Sequence, residues 1–126
     1  MAIGKDTALR LVLIDDQANE AEAIVSSLRN AGIAVRPLRA ESLDELASQL
    51  AQQPVDMVLA EHASILMPFN EVAAVVIGCG RDVPLLAVLD GITDEILDSV
   101  QALGAQAVAL RGRPQQLLKT VRTEWH

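Results

Sequence analysis

The sequence predicts an α/β domain built on a doubly wound, five-stranded parallel sheet of (βα)5, flavodoxin-like topology. Five short aliphatic runs lack polar alternation, which is typical of strands buried on both faces of a parallel sheet. Five segments with helical apolar spacing alternate with them, and this order specifies right-handed crossovers with helices on both faces. With 126 residues and no repeat or linker, we expect residues 1–126 to form one domain, ordered from about residue 8 to about residue 123.

A local signal marks each of the first two strand–helix units. The run Leu9–Ile14 is the first strand, and it ends at two aspartates. Apolar residues at helical spacing then predict a helix that stops near Gly32. Residues 33–38 form a weaker second strand. Ser42 stands three residues before Glu45, a capping-box pattern that opens the second helix.

The third unit is bounded by polar residues. Residues 57–60 form the third strand, which ends at Glu61. Asn70 is expected to cap the helix that follows, because its side chain can accept from a backbone N–H of the first turn. Two glycines within residues 78–80 predict the end of that helix.

The last two units complete the alternation. Leu85–Leu89 is the fourth strand, and the helical stripe after it closes at Gly104. Ala107–Leu110 is the fifth strand. Pro114 stands in the first turn of the last helix, where proline is tolerated.

Composition excludes one class of function. The chain carries 10 basic and 17 acidic residues, a net charge of −7, so a phosphate backbone would be repelled. Stacking on bases needs aromatic side chains, and the chain has one Phe, one Trp and no Tyr. We therefore expect no nucleic-acid binding.

Cysteine and histidine are equally sparse. The single Cys79 cannot form an internal disulfide or a cysteine zinc site, and His62 and His126 are too far apart for a metal cluster. No apolar run approaches the roughly 20 residues that a membrane helix needs, and no secretory signal is seen. The sequence therefore predicts a cytoplasmic domain without membrane insertion.

Acidic residues follow two of the predicted strands. Asp15 and Asp16 come directly after the first strand, and Glu61 after the third. Carboxyl ends of parallel strands meet at one edge of the sheet, where function collects. Three carboxylates suit Mg²⁺, which prefers oxygen ligands. The aspartates would otherwise begin a solvated loop and cap the next helix, but the third carboxylate favours an acidic pocket with a weak or vestigial Mg²⁺ site.

These residues resemble a known family over nearly the whole chain. The receiver domains of two-component response regulators have an acidic pair after the first strand, here Asp15 and Asp16. They also have a Pro-x-Asp-x-aliphatic segment leading to the end of the third strand, here residues 54–61, and a Gly-Ala pair before the fifth, here Gly104 and Ala105. The resemblance implies a CheY-like receiver fold acting in phosphorelay signal transduction.

The same resemblance shows departures at the positions that carry the family's chemistry. The phosphoacceptor aspartate is Glu61, whose carboxylate lies one methylene further out. Misplacing a reacting atom by about 1 Å costs about a hundredfold in rate. The Thr or Ser that ends the fourth strand is Leu89. The Lys-Pro pair after the fifth strand is Arg111 and Gly112, and the aromatic switch position is Val108.

These departures predict a pseudo-receiver, which keeps the scaffold, has lost the phosphorylation chemistry, is not an enzyme and acts through protein contact. An ion pair between Glu61 and Arg111 would either imitate an activated receiver or merely neutralise two charges. The alternative is a receiver with an atypical pocket that is still phosphorylated, at Asp15 or Asp16, with Mg²⁺. A flavodoxin-like or nucleotide-binding enzyme is less favoured, because no phosphate-cradling loop follows the first strand.

A narrower resemblance covers the first third of the chain. Residues 11–14, 19–22 and 28–32 are similar to the start of FimX-type proteins, in which a degenerate receiver precedes PAS, GGDEF and EAL domains. This implies that the chain is the N-terminal part of a longer cyclic-di-GMP signalling protein whose output domains are its partners. In that family the nucleotide site lies in the EAL domain, so we expect this chain not to bind cyclic-di-GMP.

Receivers commonly dimerise, or dock on output domains, through the fourth helix, fifth strand and fifth helix. Here an acidic helix lies beside a basic one, so a symmetric homodimer would set each patch against its complement. The alternatives are a contact with a downstream domain and a solvated surface of mixed charge. The residues of this predicted interaction face are Asp94, Glu95, Asp98, Arg111, Arg113, Lys119 and Arg122.

The segment after the third strand is unusually apolar. Ile65, Leu66, Met67 and Phe69 fall within residues 63–69. This segment would cover the pocket as a lid, form an extra helical turn or expose a contact patch. We expect it to cover the pocket.

Overall fold

The computed structural model describes residues 8–125 and contains one five-stranded parallel sheet in the order β2-β1-β3-β4-β5. The strands β1 to β5 are Leu9–Ile14, Val35–Arg39, Met57–Glu61, Leu85–Leu89 and Ala107–Leu110. The helices α1 to α5 are Ala18–Asn30, Leu43–Gln52, Phe69–Gly78, Asp94–Leu103 and Pro114–Glu124. The predicted α/β class and the strand–helix alternation are therefore confirmed.

The sheet separates two hydrophobic layers, and β1 contributes to both. Leu11 and Leu13 lie in the layer beneath α1 and α5, whereas Val12 and Ile14 lie in the layer beneath α2, α3 and α4. Neighbouring side chains on a strand point to opposite faces, so a strand buried on both faces must be apolar at every position. Apart from the exposed Arg10 near the start of β1 and the partly buried Glu61 at the end of β3, the central strands are buried in this way, which holds their carboxyl ends in fixed positions around the site.

The second strand begins later than the sequence predicts. It runs over Val35–Arg39 rather than residues 33–38. Ile33 is buried, but its N–H donates to the carbonyl of Leu28 at 3.0 Å and so closes the end of α1 instead of joining the sheet. Pro37 is accommodated inside β2 because this strand is at the edge of the sheet, where one side needs no ladder hydrogen bonds.

The predicted cap of α2 is present, but that of α3 is wrong. Ser42 Oγ accepts from the N–H of Glu45 at 3.0 Å. By contrast, α3 begins at Phe69 after Pro68, and Asn70 lies inside its first turn. The start of α3 is set by burial of the Phe69 ring in the core and by the fixed φ of Pro68, rather than by a capping side chain.

Gly104 ends α4, as predicted, with φ of +114°, in the left-handed region that L side chains rarely adopt. A Cβ at this position would lie 2.6 Å from Cδ1 of Ile77 at the end of α3. Glycine thus allows the carboxyl ends of α3 and α4 to approach closely. Within residues 8–125, no helix combines the length and the apolar character needed to cross a membrane.

Candidate functional site

The three carboxylates at the carboxyl ends of β1 and β3 converge, as the sequence predicts. The two strands pair so that Ile14 lies opposite Ala60, which places Asp15 and Glu61 at the same sheet edge. The N–H of Asp16 donates to Oε1 of Glu61 at 3.2 Å. Asp15 is buried there, a costly position for a charged group that lacks a partner.

Arg111, the first residue after β5, supplies the positive charge. Its Nη2 lies 2.7 Å from Oε2 of Glu61, and its Nη1 lies 3.3 Å from Oδ2 of Asp15. Nη1 also pairs with Glu20 of α1 at 3.0 Å, and Nε pairs with Asp90 after β4 at 2.8 Å. One guanidinium thus joins four segments of the chain, a task suited to its fixed, planar fork of donors.

Asp16 faces away from Arg111 and binds the β3–α3 loop, residues 62–68. Ser64 Oγ donates to Asp16 Oδ1 at 2.6 Å, and the N–H of Ile65 donates to Oδ2 at 2.7 Å. Ser64 Oγ also accepts from the N–H of Met67 at 3.0 Å, which closes a turn. Asp16 therefore fixes the path of this loop.

Every oxygen of the three predicted Mg²⁺ ligands already has a donor in the protein. The remaining oxygen, Oδ1 of Asp15, accepts from the N–H of Gln17 at 3.0 Å. Across residues 8–125, no three His, Cys, Asp or Glu side chains are grouped so that they would hold a metal ion. In this arrangement Asp15, Asp16 and Glu61 match a guanidinium and N–H donors rather than the near-octahedral ligand set of Mg²⁺.

The local environment shifts three pKa values. Partial burial acts to lower the pKa of Arg111, but hydrogen bonds to Asp90 and Glu20 and the charge of Asp15 raise it above its ordinary value. Burial raises the pKa of Glu61, and the N–H of Asp16 and the charge of Arg111 only partly oppose that rise. The hydrogen bond from Ser64 lowers the pKa of Asp16 despite partial desolvation. Arg111 therefore stays charged throughout the physiological pH range.

Apart from Arg111, the predicted switch residues bring no side-chain hydrogen-bond donor to the site. Leu89 is buried in the layer beneath α2, α3 and α4, and Val108 packs against the same layer. The carbonyl of Val108 accepts from Nε2 of Gln116 at 3.1 Å. Gly112 has φ of +77°, which turns the chain from β5 into α5. Arg111 alone among the predicted switch residues carries a polar side chain into the site.

The segment after β3 covers Asp16 with Ser64 and the N–H of Ile65, but the side chains of Ile65 and Leu66 do not close over the pocket as the expected lid. Ile65 is 86% exposed and Leu66 is 69% exposed, while Met67 and Phe69 are buried in the core. The two inner residues anchor the segment, and the hydrogen bonds from Asp16 hold Ser64 and the backbone of Ile65 inward. The side chains of Ile65 and Leu66 are therefore left in solvent.

One of the seven residues of the predicted interaction face points elsewhere, because Arg111 turns into the pocket. Arg122 is exposed, and its Nη2 donates to the carbonyl of Ala31, after α1, at 3.3 Å. The other five are also exposed, on α4, on α5 or in the loop before α5: Asp94, Glu95, Asp98, Arg113 and Lys119. The face therefore lacks one of the basic side chains that the sequence assigned to it.

Several polar residues of the site, including Asp90 at the end of the fourth strand, were assigned no role from the sequence. Glu20 and Asp90 bind Arg111, and Ser64 binds Asp16. Arg39, at the end of β2, donates through Nη2 to the carbonyl of Asp15 at 2.6 Å. Asp90 and Arg39 both lie at the carboxyl ends of strands, a position from which the sequence alone can indicate a site residue. Glu20 and Ser64 lie where only the packed structure shows which way the side chain turns.

Comparison with known proteins identifies the fold. No protein-family model and no curated protein matches the sequence. A response regulator from Thermotoga maritima superimposes with a TM-score of 0.78 at 15% identity, covering 94% of this chain and 98% of that one. The chemotaxis protein CheY4 of Vibrio cholerae gives 0.77 at 20% identity, covering 93% and 98%.

This chain has the fold of a response-regulator receiver domain. A third similar structure is the receiver domain of a sensor histidine kinase from Pseudomonas aeruginosa, with a TM-score of 0.75, 15% identity and coverage of 94% and 98%. That receiver holds a magnesium ion in its active-site cleft. In the present chain, the carboxyl edge of the sheet carries a guanidinium among its carboxylates.

Proposed function

We propose that this chain is a pseudo-receiver, a non-enzymatic module of bacterial signal transduction that acts through protein contact and is not phosphorylated. The observation that carries the proposal is the position of Arg111, whose guanidinium pairs with four carboxylates. A divalent cation and a phosphodonor would have to displace that charge. Because the pKa of Arg111 is raised, deprotonation does not remove it.

The phosphoacceptor position adds a second obstacle. Both oxygens of Glu61 are engaged, one by the N–H of Asp16 and one by Arg111. An attacking carboxylate needs a free oxygen aligned with the phosphodonor. Leu89 has no hydroxyl with which to bind a transferred phosphoryl group. The pocket therefore lacks a free nucleophile and a receiving donor.

One observation favours the alternative, a receiver that is phosphorylated with Mg²⁺. The carboxylate cluster, defined as Asp15, Asp16, Glu20, Glu61 and Asp90, sets five negative charges against the two guanidiniums of Arg111 and Arg39. Excess negative charge attracts divalent cations. The magnesium-bound receiver of similar fold makes this the candidate against which the proposal must be tested.

The test is an amide NMR titration of the full chain with Mg²⁺, followed by beryllofluoride, a phosphoryl analogue. We expect no saturable beryllofluoride shifts, and no phosphoryl adduct after incubation with acetyl phosphate. A triple variant, Glu61→Asp, Leu89→Thr and Arg111→Lys, restores the residue types that the resemblance assigns and serves as the positive control. Saturable shifts around Asp16 and Glu61 in the unaltered chain would overturn the proposal.

We further propose that the module regulates cyclic-di-GMP-related output domains of the GGDEF/EAL class, in keeping with the narrower resemblance. Its contact would be either with such a domain or with a second copy through the predicted interaction face. Six exposed charged residues support that face. Sedimentation velocity over a hundredfold concentration range tests the homodimer, and calorimetry with cyclic-di-GMP is expected to show no binding to this chain.

A further inference from the structure

Large apolar side chains are exposed at two places in residues 8–125. Ile65, Leu66 and Ile92 belong to loops that leave β3 and β4 at the carboxyl edge, and Ile77 lies at the far end of α3. A single exposed apolar residue is ordinary. Ile65 and Leu66 are adjacent and are the two most exposed of the four, so they form one protruding apolar pair.

This pair is held rigidly by polar contacts beneath it. Asp16 accepts from Ser64 Oγ and from the N–H of Ile65, while Ser64 itself is buried. Met67, which directly follows Leu66, is buried in the core. A contact loop that is ordered before binding loses little conformational entropy when a partner docks. The aspartate that the family resemblance assigns to Mg²⁺ here fixes the loop that presents Ile65 and Leu66.

A cavity of about 300 Å³ lies beside Leu66. Its walls combine apolar side chains with three carboxylates and one guanidinium, that of Arg39, which pairs with Glu41 at 3.2 Å. The residues that matter here are Ile14, Ala40, Leu66, Met67, Asp16 and Glu41. Asp15 and Asp16 are already engaged by donors within the protein, whereas Glu41 is exposed and bonds to Arg39 through one oxygen, Oε1. Apolar walls beside an exposed carboxylate suit the aliphatic stem and charged head of a lysine or arginine.

Resting on the proposed function, we propose that Ile65, Leu66 and the cavity beside them form a docking surface for a basic amphipathic helix of a partner protein. Apolar residues of that helix would cover Ile65 and Leu66, and a lysine or arginine one turn away would enter the cavity toward Glu41. Charge complementarity selects this occupant, because the chain carries a net charge of −7. A second copy would bring a like net charge to this edge.

The test uses the full chain, labelled with ¹⁵N, and a synthetic 18-residue peptide of leucine and lysine at amphipathic helical spacing. The comparison peptide has the same composition, scrambled to destroy the apolar face. We expect saturable shifts at residues 64–67 and at Glu41 with the amphipathic peptide, and at least tenfold weaker binding of the scrambled one. Equal binding of both peptides would reduce the effect to net charge and overturn the proposal.

Matched variants locate the contact. Leu66→Ser is expected to weaken binding about tenfold, as for a central contact residue. Ile77→Ser removes an apolar side chain of similar exposure, 63% against 69%, at the other end of α3 and should leave binding unchanged. Glu41→Gln should weaken binding about threefold. Equal losses in Leu66→Ser and Ile77→Ser would refute the docking site.

A second copy as the occupant has its own signature. Shifts at Ile65 and Leu66 that depend on protein concentration, without peptide, would show self-association at this surface and overturn the choice of partner. The peptide experiment and the phosphorylation experiment can fail independently of each other. Phosphorylation of the chain would overturn the pseudo-receiver whether or not the peptide binds, and absence of peptide binding would leave the pseudo-receiver intact.

Discussion

The loops after β3 and β5 leave the same edge of the sheet and use the carboxylate cluster in opposite ways. The β5–α5 loop sends the Arg111 side chain inward, where it neutralises charge contributed by four segments. The β3–α3 loop keeps its backbone and Ser64 inward and leaves Ile65 and Leu66 in solvent. The cluster is thus divided, with Asp16 serving the second loop and the other carboxylates serving Arg111.

The ion pairs of Arg111 and the exposed pair of Ile65 and Leu66 should therefore differ in what they do: the first stabilises the fold, and the second forms a surface that a partner can contact. Arg111 compensates charges that would otherwise be buried without a partner, so removing it should affect the whole domain. The exposed pair contributes little to the folded core, so altering it should affect only what the surface can bind.

The largest expected effect comes from Arg111→Ala. Removing the guanidinium leaves Asp15 buried and unpaired, so the free energy of unfolding should fall by about 3 kcal/mol. Urea denaturation followed by circular dichroism measures the change. Arg113→Ala, which removes an exposed arginine two residues away, is the control and should change stability by less than about 0.5 kcal/mol. Equal losses in both variants would contradict the assigned role of Arg111.

The same substitution should open the pocket to cations. With Arg111 gone, Asp15 and Glu61 each regain a free oxygen, and Mg²⁺ affinity should rise by about tenfold, equivalent to about 1.4 kcal/mol. Amide shifts at Asp15 and Glu61 during a Mg²⁺ titration of the folded variant measure this rise. Unchanged affinity would mean that the guanidinium does not compete with a metal.

Asp16→Asn is expected to have a smaller effect that depends on pH. The pKa of Asp16 is lowered in the folded state from its ordinary value of 3.8, so the carboxylate contributes stability above that value and loses it as the pH falls through the folded pKa. At pH 7 the variant should be less stable by about 1 kcal/mol.

Below about pH 4 the stability difference between Asp16→Asn and the unaltered chain should shrink. Urea midpoints at pH 7 and pH 3.5 measure it, together with hydrogen exchange at the N–H of Ile65, which should become faster in the variant. A difference that stays constant with pH would argue against an ionised Asp16 as the anchor of the loop.

The smallest effect is expected for the exposed pair. Ile65→Ser and Leu66→Ser should each change the free energy of unfolding by less than about 0.5 kcal/mol. Met67→Ala, in the same loop but buried, should cost about 3 kcal/mol. Thermal unfolding of the three variants ranks them. A large loss in Leu66→Ser would show that the pair supports the fold rather than a surface.

The fold was predictable because each strand is marked by a short apolar run in the local sequence. The apolar runs that end at Asp15 and at Glu61 place both carboxylates at one sheet edge before any tertiary contact is known. Arg111 was predictable for the same reason, as the residue after the last strand. The start of β2 could not be predicted. Ile33 is as apolar as a strand residue, but its N–H donates to the carbonyl of Leu28 at the end of α1.

The partners of Arg111 and the direction of the apolar loop lay beyond local pattern. Glu20 is one of two acidic residues in α1, and only the distance spanned by the guanidinium selects it. Ile65, Leu66 and Met67 are consecutive, so no period tells which side chain is buried. Their directions are set by Asp16, which is 49 positions away from Ile65 in sequence.

The reach of Arg111 also bears on how the domain folds. Its carboxylate partners lie 96, 91, 50 and 21 positions earlier in the chain. Arg111 follows β5, which lies at the sheet edge, so these contacts form only once that strand has docked on β4. Closing such long loops costs chain entropy and delays the contacts that depend on them. We therefore expect the ion pairs of Arg111 to form late in folding, so that their loss would speed unfolding more than it would slow folding.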